Sequence, residues 1–252
     1  WVIMLGIARP LARIEGGARP GLDLVAITGG LQFATSYAIV YWAETILPSG
    51  LTAVLWAVYP LLLGVVSLVM LPGERLGARQ WAGLALGFSG IATLFWSDLR
   101  VAGGDQMRAG AVLLFSPLAV AIANAYLRPR APAISAALLN RDGLLFAAVL
   151  LSTFAALTER GVPVRWTPAA IGSVVYLAAA GTCLTFTVYF WTLRHLPAST
   201  VALTSYVTPV IALLLGVFVR GEPFSLGTLS GTAIVLCGVA LARRSGARAA
   251  KA

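Results

Sequence analysis

The sequence predicts an all-α, polytopic membrane protein built from two inverted five-helix repeats. Three observations predict it: apolar runs long enough to cross a bilayer, a long motif that occurs twice, and basic residues crowded into every second connector. The chain is 59% hydrophobic and only 11% charged, with a mean hydropathy of +0.89. A soluble domain carries roughly 25% charge. So few charged residues cannot cover a water-facing surface. A membrane-spanning helix needs about 20 residues, and the apolar runs supply that length.

The repeated motif sets the organisation. Its later copy reads Leu196-Pro197, then apolar residues to Pro209, then Gly221-Glu222, Gly231 and Gly238. The earlier copy reads Leu47-Pro48, then apolar residues to Pro60, then Gly73-Glu74, Gly83 and Gly90. Leu47, Pro48 and Pro60 match at one offset; Glu74, Gly83 and Gly90 match at an offset one residue smaller. The earlier copy therefore holds one extra residue between Pro60 and Glu74. Upstream, Tyr41-Trp42 falls on Phe190-Trp191. A duplication of this length speaks to architecture before function.

In chain order, residues 1–8 read as the tail of a span. A basic segment with Arg9, Arg13 and Arg19 follows, broken by Pro10, Gly16, Gly17 and Pro20. Full spans are predicted over 24–46, 50–71, 80–96, 109–127, 135–157, 168–193, 199–219 and 226–242. By the larger offset Trp1 falls opposite Leu150, and nothing in the first half answers the residues from 109 to about 149. The expectation is that about one and a half spans precede Trp1, giving ten spans when intact and about eight and a half here. The first repeat is then 1–98, and the second is 99–252 with a basic tail. Five spans per copy turn the second copy upside down.

The connectors agree with that inversion. One alternating set holds 13 of the 18 basic residues, among them Arg9, Arg75, Arg128, Arg194 and Lys251; the other holds Arg100, Arg108, Arg160, Arg165 and Arg220. Acidic residues divide almost evenly. A bias confined to Lys and Arg is the positive-inside signature, and it puts the C-terminal tail in the cytoplasm of a multi-pass plasma (inner) membrane protein. The net charge of +9 therefore belongs to membrane orientation, and a nucleic-acid partner is rejected. Cys183 and Cys237 both lie in apolar runs and read as small packing residues, with no disulfide framework or metal site.

Within the spans, Gly83 and Gly87 are four apart, as are Gly227 and Gly231. That spacing lets helices approach closely in lipid. Pro60 and Pro209 lie mid-span, where a proline removes a backbone hydrogen bond and kinks a helix. Two readings stay open for this matched pair: packing kinks, or kinks that flank a central site as in transporters.

In combination, these residues resemble the drug/metabolite transporter superfamily, specifically its EamA-type permeases. The first half carries Tyr41-Trp42 through Leu47-Pro48-Ser49-Gly50-Leu51, Pro60, Gly73-Glu74-Arg75-Leu76 and Gly83 to Gly90. The second carries Tyr189-Phe190-Trp191 through Leu196-Pro197-Ala198, Tyr206 to Val210, Gly221-Glu222-Pro223 and Gly231 to Gly238. The resemblance implies ten spans in two inverted five-helix repeats, cytoplasmic ends, and export of amino acids or other small metabolites. It does not fix the substrate.

No catalytic set emerges. Gly87-Phe88-Ser89-Gly90 has a G-x-S-G form, but a serine nucleophile needs a base beside it. The sole histidine, His195, stands at a predicted cytoplasmic helix end. No phosphate-binding loop or metal-binding motif is present, and no cofactor is expected. Ionisable residues inside spans are functional candidates. Glu44, near an external span end, reads either as a snorkelling cap or as a protonatable gate, which leaves proton coupling open. Asn140, Arg141 and Asp142 stand at the entry of the 135–157 span, which could equally begin at Leu144 and leave all three interfacial.

The polar and aromatic interior supplies the site. Gln32, Ser36, Tyr37, Trp56, Tyr59, Asn124, Thr185, Tyr189, Ser205, Tyr206 and Thr208 need partners or a cavity, because lipid satisfies no polar group. One reading is interhelical hydrogen bonding. The other is an apolar-walled cavity with a few hydrogen-bonding groups, lined by Tyr37, Trp56, Tyr59, Asn124, Tyr189 and Tyr206. The expectation is a secondary transporter, not an enzyme, that exports a small-molecule substrate by alternating access. A drug or lipophilic-cation exporter, and an intramembrane enzyme or scaffold, remain as alternatives. Oligomeric state is open.

Overall fold

The computed structural model describes residues 1–47, 49–71, 76–94, 96, 103–159, 166–207, 211 and 226–249. In chain order its helices are α1 (Val2–Glu15), α2 (Leu22–Glu44), α3 (Ser49–Trp56), α4 (Tyr59–Met70), α5 (Ala78–Leu94), α6 (Gly104–Leu113), α7 (Phe115–Leu127), α8 (Ala136–Thr158), α9 (Pro168–His195), α10 (Ala198–Ala202) and α11 (Leu226–Ala249). Among the described residues, five stretches are long and apolar enough to cross a bilayer: Leu22–Glu44, Leu51–Met70, Gly104–Leu127, Ala136–Thr158 and Pro168–His195. Large apolar side chains such as Val149, Phe154, Val174 and Val188 are exposed, as lipid-facing residues must be. The protein is a polytopic helical membrane protein.

The chain folds as two compact units. One combines Trp1–Ala38 with Tyr126–Leu196; the other combines Ile39–Ala125 with Pro197–Ala252. Each unit takes chain from both halves of the sequence.

In the first unit, α1 runs straight through Pro10 to Glu15, although the sequence suggested a break there. Proline already holds a helical φ, so its cost is the bond to one carbonyl. The stop comes at Gly16, whose φ of 67° is the left-handed conformation that glycine adopts freely. Gly17, at φ 103°, sits so close to the segment leading into α8 that a Cβ would lie 2.7 Å from the Ile134 carbonyl carbon. That approach lets Ala18 pair with the 133–135 segment: Ala18 N–H donates to the Ala133 carbonyl at 2.8 Å, and Ser135 N–H to the Ala18 carbonyl at 2.9 Å.

Helix α8 then begins on Ser135, whose hydroxyl accepts from Leu138 N–H. Glu15 completes this cap. Its carboxylate takes Ala137 N–H at 2.9 Å and the Ser135 hydroxyl, and it lies 3.8 Å from the Arg194 guanidinium. Helices α2 and α9 each contain a π-helical middle, Thr28–Thr35 and Leu177–Leu184, which the sequence did not predict. Their aromatic residues meet: Phe33 stands edge-on to Phe186, with ring centroids 4.7 Å apart.

In the second unit the core is the α5–α11 contact. A Cβ on Gly83 would lie 2.6 Å from the Ala242 nitrogen and 2.7 Å from the Gly238 carbonyl oxygen. One on Gly90 would lie 2.7 Å from the Val235 nitrogen and 2.9 Å from the Gly231 oxygen. The partner numbers fall as the α5 numbers rise, so the two helices run antiparallel. Leu51–Met70 is one span in length but two helices, with a turn at Ala57–Val58. Pro60 sits in the first turn of α4, where a missing N–H is least costly. The 109–127 span likewise divides at Leu114 into α6 and α7.

Candidate functional site

Three of the predicted site residues come together in the second unit. Trp56 closes α3 and Tyr59 opens α4, so the turn between those helices brings the two rings together; their centroids are 5.9 Å apart and the rings are tilted by 43°. Asn124, from α7, is fully buried and donates its amide N–H to the Tyr59 hydroxyl at 3.0 Å. Its carbonyl oxygen has no hydrogen-bond partner. One turn before Trp56, the Thr52 hydroxyl is also buried and unpartnered. An orphaned buried acceptor costs about 1–3 kcal/mol. Such oxygens are where an ammonium or amide N–H of a ligand would recover that cost.

Two more predicted residues meet in the first unit. Tyr37 and Tyr189 are half-buried and join one aromatic cluster. The Tyr37 ring centroid is 6.1 Å from Phe33, and that of Tyr189 is 6.2 Å from Phe186 and 5.8 Å from Phe190. Tyr206 packs in the second unit's core with Val54 and Ala57. It is wholly buried in the second unit's core; its hydroxyl donates to the Leu84 carbonyl at 3.0 Å, and its ring fills the space over Gly87. Its polar end is committed to backbone. Pro209 and Thr208 lie outside the described residues.

The sequence left Asn140 either inside the 135–157 span or interfacial; the structure buries it completely in the second turn of α8. Its amide nitrogen donates to the Cys183 carbonyl at 3.0 Å and to the Thr187 hydroxyl at 2.8 Å, both on α9. A carbonyl only accepts, which fixes the amide nitrogen on that side and leaves Asn140 Oδ1 without a partner. The Gln32 Oε1, inside the π-helical part of α2, is buried and unpartnered too. The signal for Asn140 was its place within a run that could be helical from Ala136 onward. Arg141 is tied to Asp142 at 2.6 Å. Glu44 is exposed at the end of α2. His195 Nδ1 lies 2.8 Å from the Trp191 carbonyl, and the Ser89 hydroxyl donates to the Leu86 carbonyl; both side chains serve their own helices.

Comparison with known proteins adds names to this geometry. The model of the EamA-like transporter family matches residues 109–244. The uncharacterized transporter YoaV of Bacillus subtilis strain 168 is 25% identical over 237 residues, which are 94% of this chain and 80% of that protein. A probable terminal-alkyne amino-acid exporter of Streptantibioticus cattleyicolor is 25% identical over 245 residues, covering 95% of this chain and 77% of its own length. The uncharacterized inner membrane transporter YedA of Escherichia coli K12 is 26% identical over 217 residues, 86% of this chain and 66% of that one. A crystal structure 22% identical in sequence superposes with a TM-score of 0.78 over 95% of this chain and 83% of its own; that likeness shows the fold.

Proposed function

The chain belongs to the EamA-like transporter family, a membrane transporter family, and from that premise we propose that it exports small metabolites, amino acids among them, by alternating access. The two halves, 1–98 and 99–252, act as inverted repeats, with the basic C-terminal tail in the cytoplasm. The antiparallel contact of α5 with α11, in which the matched glycines of the two halves face each other, supports the inversion. The excess of basic residues in alternate connectors supports the orientation.

One observation carries the substrate reading. Asn124 is fully buried, bonded to Tyr59 beside Trp56, and keeps an unpartnered carbonyl oxygen. Amino groups are the donors such an oxygen selects, and an aromatic wall suits their side chains. A relative named as a probable amino-acid exporter points the same way. We assign substrate contact to Asn124, Tyr59 and Trp56 of the second unit.

The test is flux of radiolabelled amino acids from sealed proteoliposomes, with lipophilic cations as the comparison panel. Wild-type protein is expected to carry at least one amino acid. Asn124→Leu, which keeps the branched side-chain skeleton, should raise KM about tenfold, the value of one charge-assisted hydrogen bond of roughly 1.5 kcal/mol. Transport of cations alone, or an Asn124→Leu variant with unchanged KM, refutes the assignment.

A further inference from the structure

The two π-helical segments occupy equivalent places in the repeat. Leu47 against Leu196 sets an offset of 149 residues, and the same offset carries Thr28–Thr35 onto Leu177–Leu184. The repeat thus preserves a backbone register that its residues do not: TGGLQFAT in one segment, LAAAGTCL in the other. Segments with i→i+5 bonding inside α-helices gather at functional sites. Each here stands just upstream of a residue of the aromatic cluster, Tyr37 in α2 and Phe186 in α9.

One helix holds both segments, in two different ways. Against α2, Gly143 packs so tightly that a Cβ on Gly29 would lie 2.7 Å from its carbonyl oxygen. Thr28, Gly29, Gln32, Phe33 and Ala34 are all buried there. Against α9, the hydrogen bonds to the segment's end come from one amide. Asn140, three residues before Gly143, bonds the Cys183 carbonyl and the Thr187 hydroxyl, and that hydroxyl also donates to the Cys183 carbonyl at 2.6 Å. Of the Leu177–Leu184 segment only Cys183 is buried, and a Cβ on Gly181 would meet nothing closer than a leucine methyl at 3.5 Å. The first segment is wedged by packing; the second is held from α8 by the Asn140 amide, with Met4 Sδ of α1 3.9 Å from the Thr187 hydroxyl.

We propose that Asn140 is a positioning residue for transport, which holds the Leu177–Leu184 segment in its π register so that release of the segment turns the Thr185–His195 half of α9. One residue of register rotates an α-helix by about 100°. That rotation takes Tyr189 off the aromatic cluster and Thr187 off Asn140. The role in transport rests on the exporter reading above; the register switch does not.

Cys183 is the reporter. The chain has two cysteines, so Cys237→Ser leaves Cys183 as the only thiol, inside the segment and 2% exposed. In membranes, N-ethylmaleimide should label it slowly, and Asn140→Leu should raise the labelling rate at least tenfold. Thr187→Val, a milder change to the same contact, should raise it in the same direction and serves if Asn140→Leu fails to fold. Deleting Gly181 removes the extra residue and fixes the segment in the α register. In that background Thr187 has already turned away from Asn140, so Asn140→Leu should change labelling less than twofold. In proteoliposomes, Asn140→Leu should lower maximal flux about tenfold with KM within twofold. Labelling within twofold of wild type for both substitutions, or an equal effect with and without Gly181, overturns the register switch. Wild-type flux that Asn140→Leu leaves intact overturns its role in transport. A wild-type protein with no flux but the predicted labelling pattern sinks the exporter reading alone.

Discussion

Glu15→Ala is expected to destabilise the first unit by about 3 kcal/mol, and Arg194→Ala by about 1 kcal/mol. The asymmetry follows from what each side chain does. The Glu15 carboxylate caps α8 through Ala137 N–H at 2.9 Å and the Ser135 hydroxyl, and loss of an N-cap acceptor costs about 1 kcal/mol. Its removal also strands Arg194, which is only 12% exposed. Removing one partner of a buried pair costs about 3–5 kcal/mol. The pair is a loose one, however. Its N···O distance is 3.8 Å, the Arg194 bonds to the Glu15, Gly16 and Pro132 carbonyls run from 3.3 to 3.5 Å, and its Nε has no partner. The lower end of the range therefore applies. Arg194→Ala leaves a carboxylate that still has two donors and the positive end of the α8 dipole, so it costs less. Equilibrium unfolding in mixed micelles, run as a double-mutant cycle, measures both effects and their coupling. Arg194→Ala costing more than Glu15→Ala, or both within about 0.5 kcal/mol of wild type, would refute the capping argument.

Other substitutions test neighbouring claims. Tyr206→Phe deletes the hydroxyl bond to Leu84, so it should cost about 1 kcal/mol of stability and leave the KM for amino acids unchanged; a KM shift would return Tyr206 to the substrate-contacting set. Gly83→Val drives a branched side chain into the Ala242 backbone, and a loss of about 3 kcal/mol is expected from overpacking, read as a lower melting temperature in detergent. Gly17→Ala meets both a left-handed φ and the Ile134 carbonyl carbon at 2.7 Å. Its destabilisation should exceed that of Gly6→Ala, where nothing lies within 4 Å.

Much of the fold was legible because lipid leaves few options. Long apolar runs must be helices, and glycines four apart mark a close crossing; Gly83 is one such residue and does press against α11. What stayed hidden depends on partners far away in sequence. Glu15 and Arg194, 179 residues apart, each look like an ordinary connector charge until the Gly16-Gly17 turn brings them to one helix end. Asn140-Arg141-Asp142 looks interfacial because a polar triplet near a span end fits either side of the boundary, and only Cys183 and Thr187 decide it. Tyr206 looked like a wall residue because its pocket is the absent side chain of Gly87. The π segments left no trace, since eight small or apolar residues show no period that separates i→i+4 from i→i+5 bonding.

The contacts of the second unit carry an architectural consequence. Gly83 matches Gly231 and Gly90 matches Gly238 in the repeat, while in space Gly83 meets Gly238 and Gly90 meets Gly231. Gly83 touches the equivalent of Gly90, and Gly90 touches the equivalent of Gly83. That reciprocity is the mark of an isologous interface, the kind two identical chains make about a twofold axis. Two parallel copies related by simple translation would set Gly83 against its own equivalent or slide past it, and the partner numbers would rise together. They fall instead. A twofold relation between antiparallel helices needs an axis across them, in the membrane plane, which is how inverted repeats are related. The prediction is strict: alanine at 83 and at 238, and alanine at 90 and at 231, press on shared contacts, so each pair should be non-additive in stability, whereas the pairs 83 with 231 and 90 with 238 should add. Coupling in the second set in preference to the first would remove the twofold relation and with it the argument for inversion.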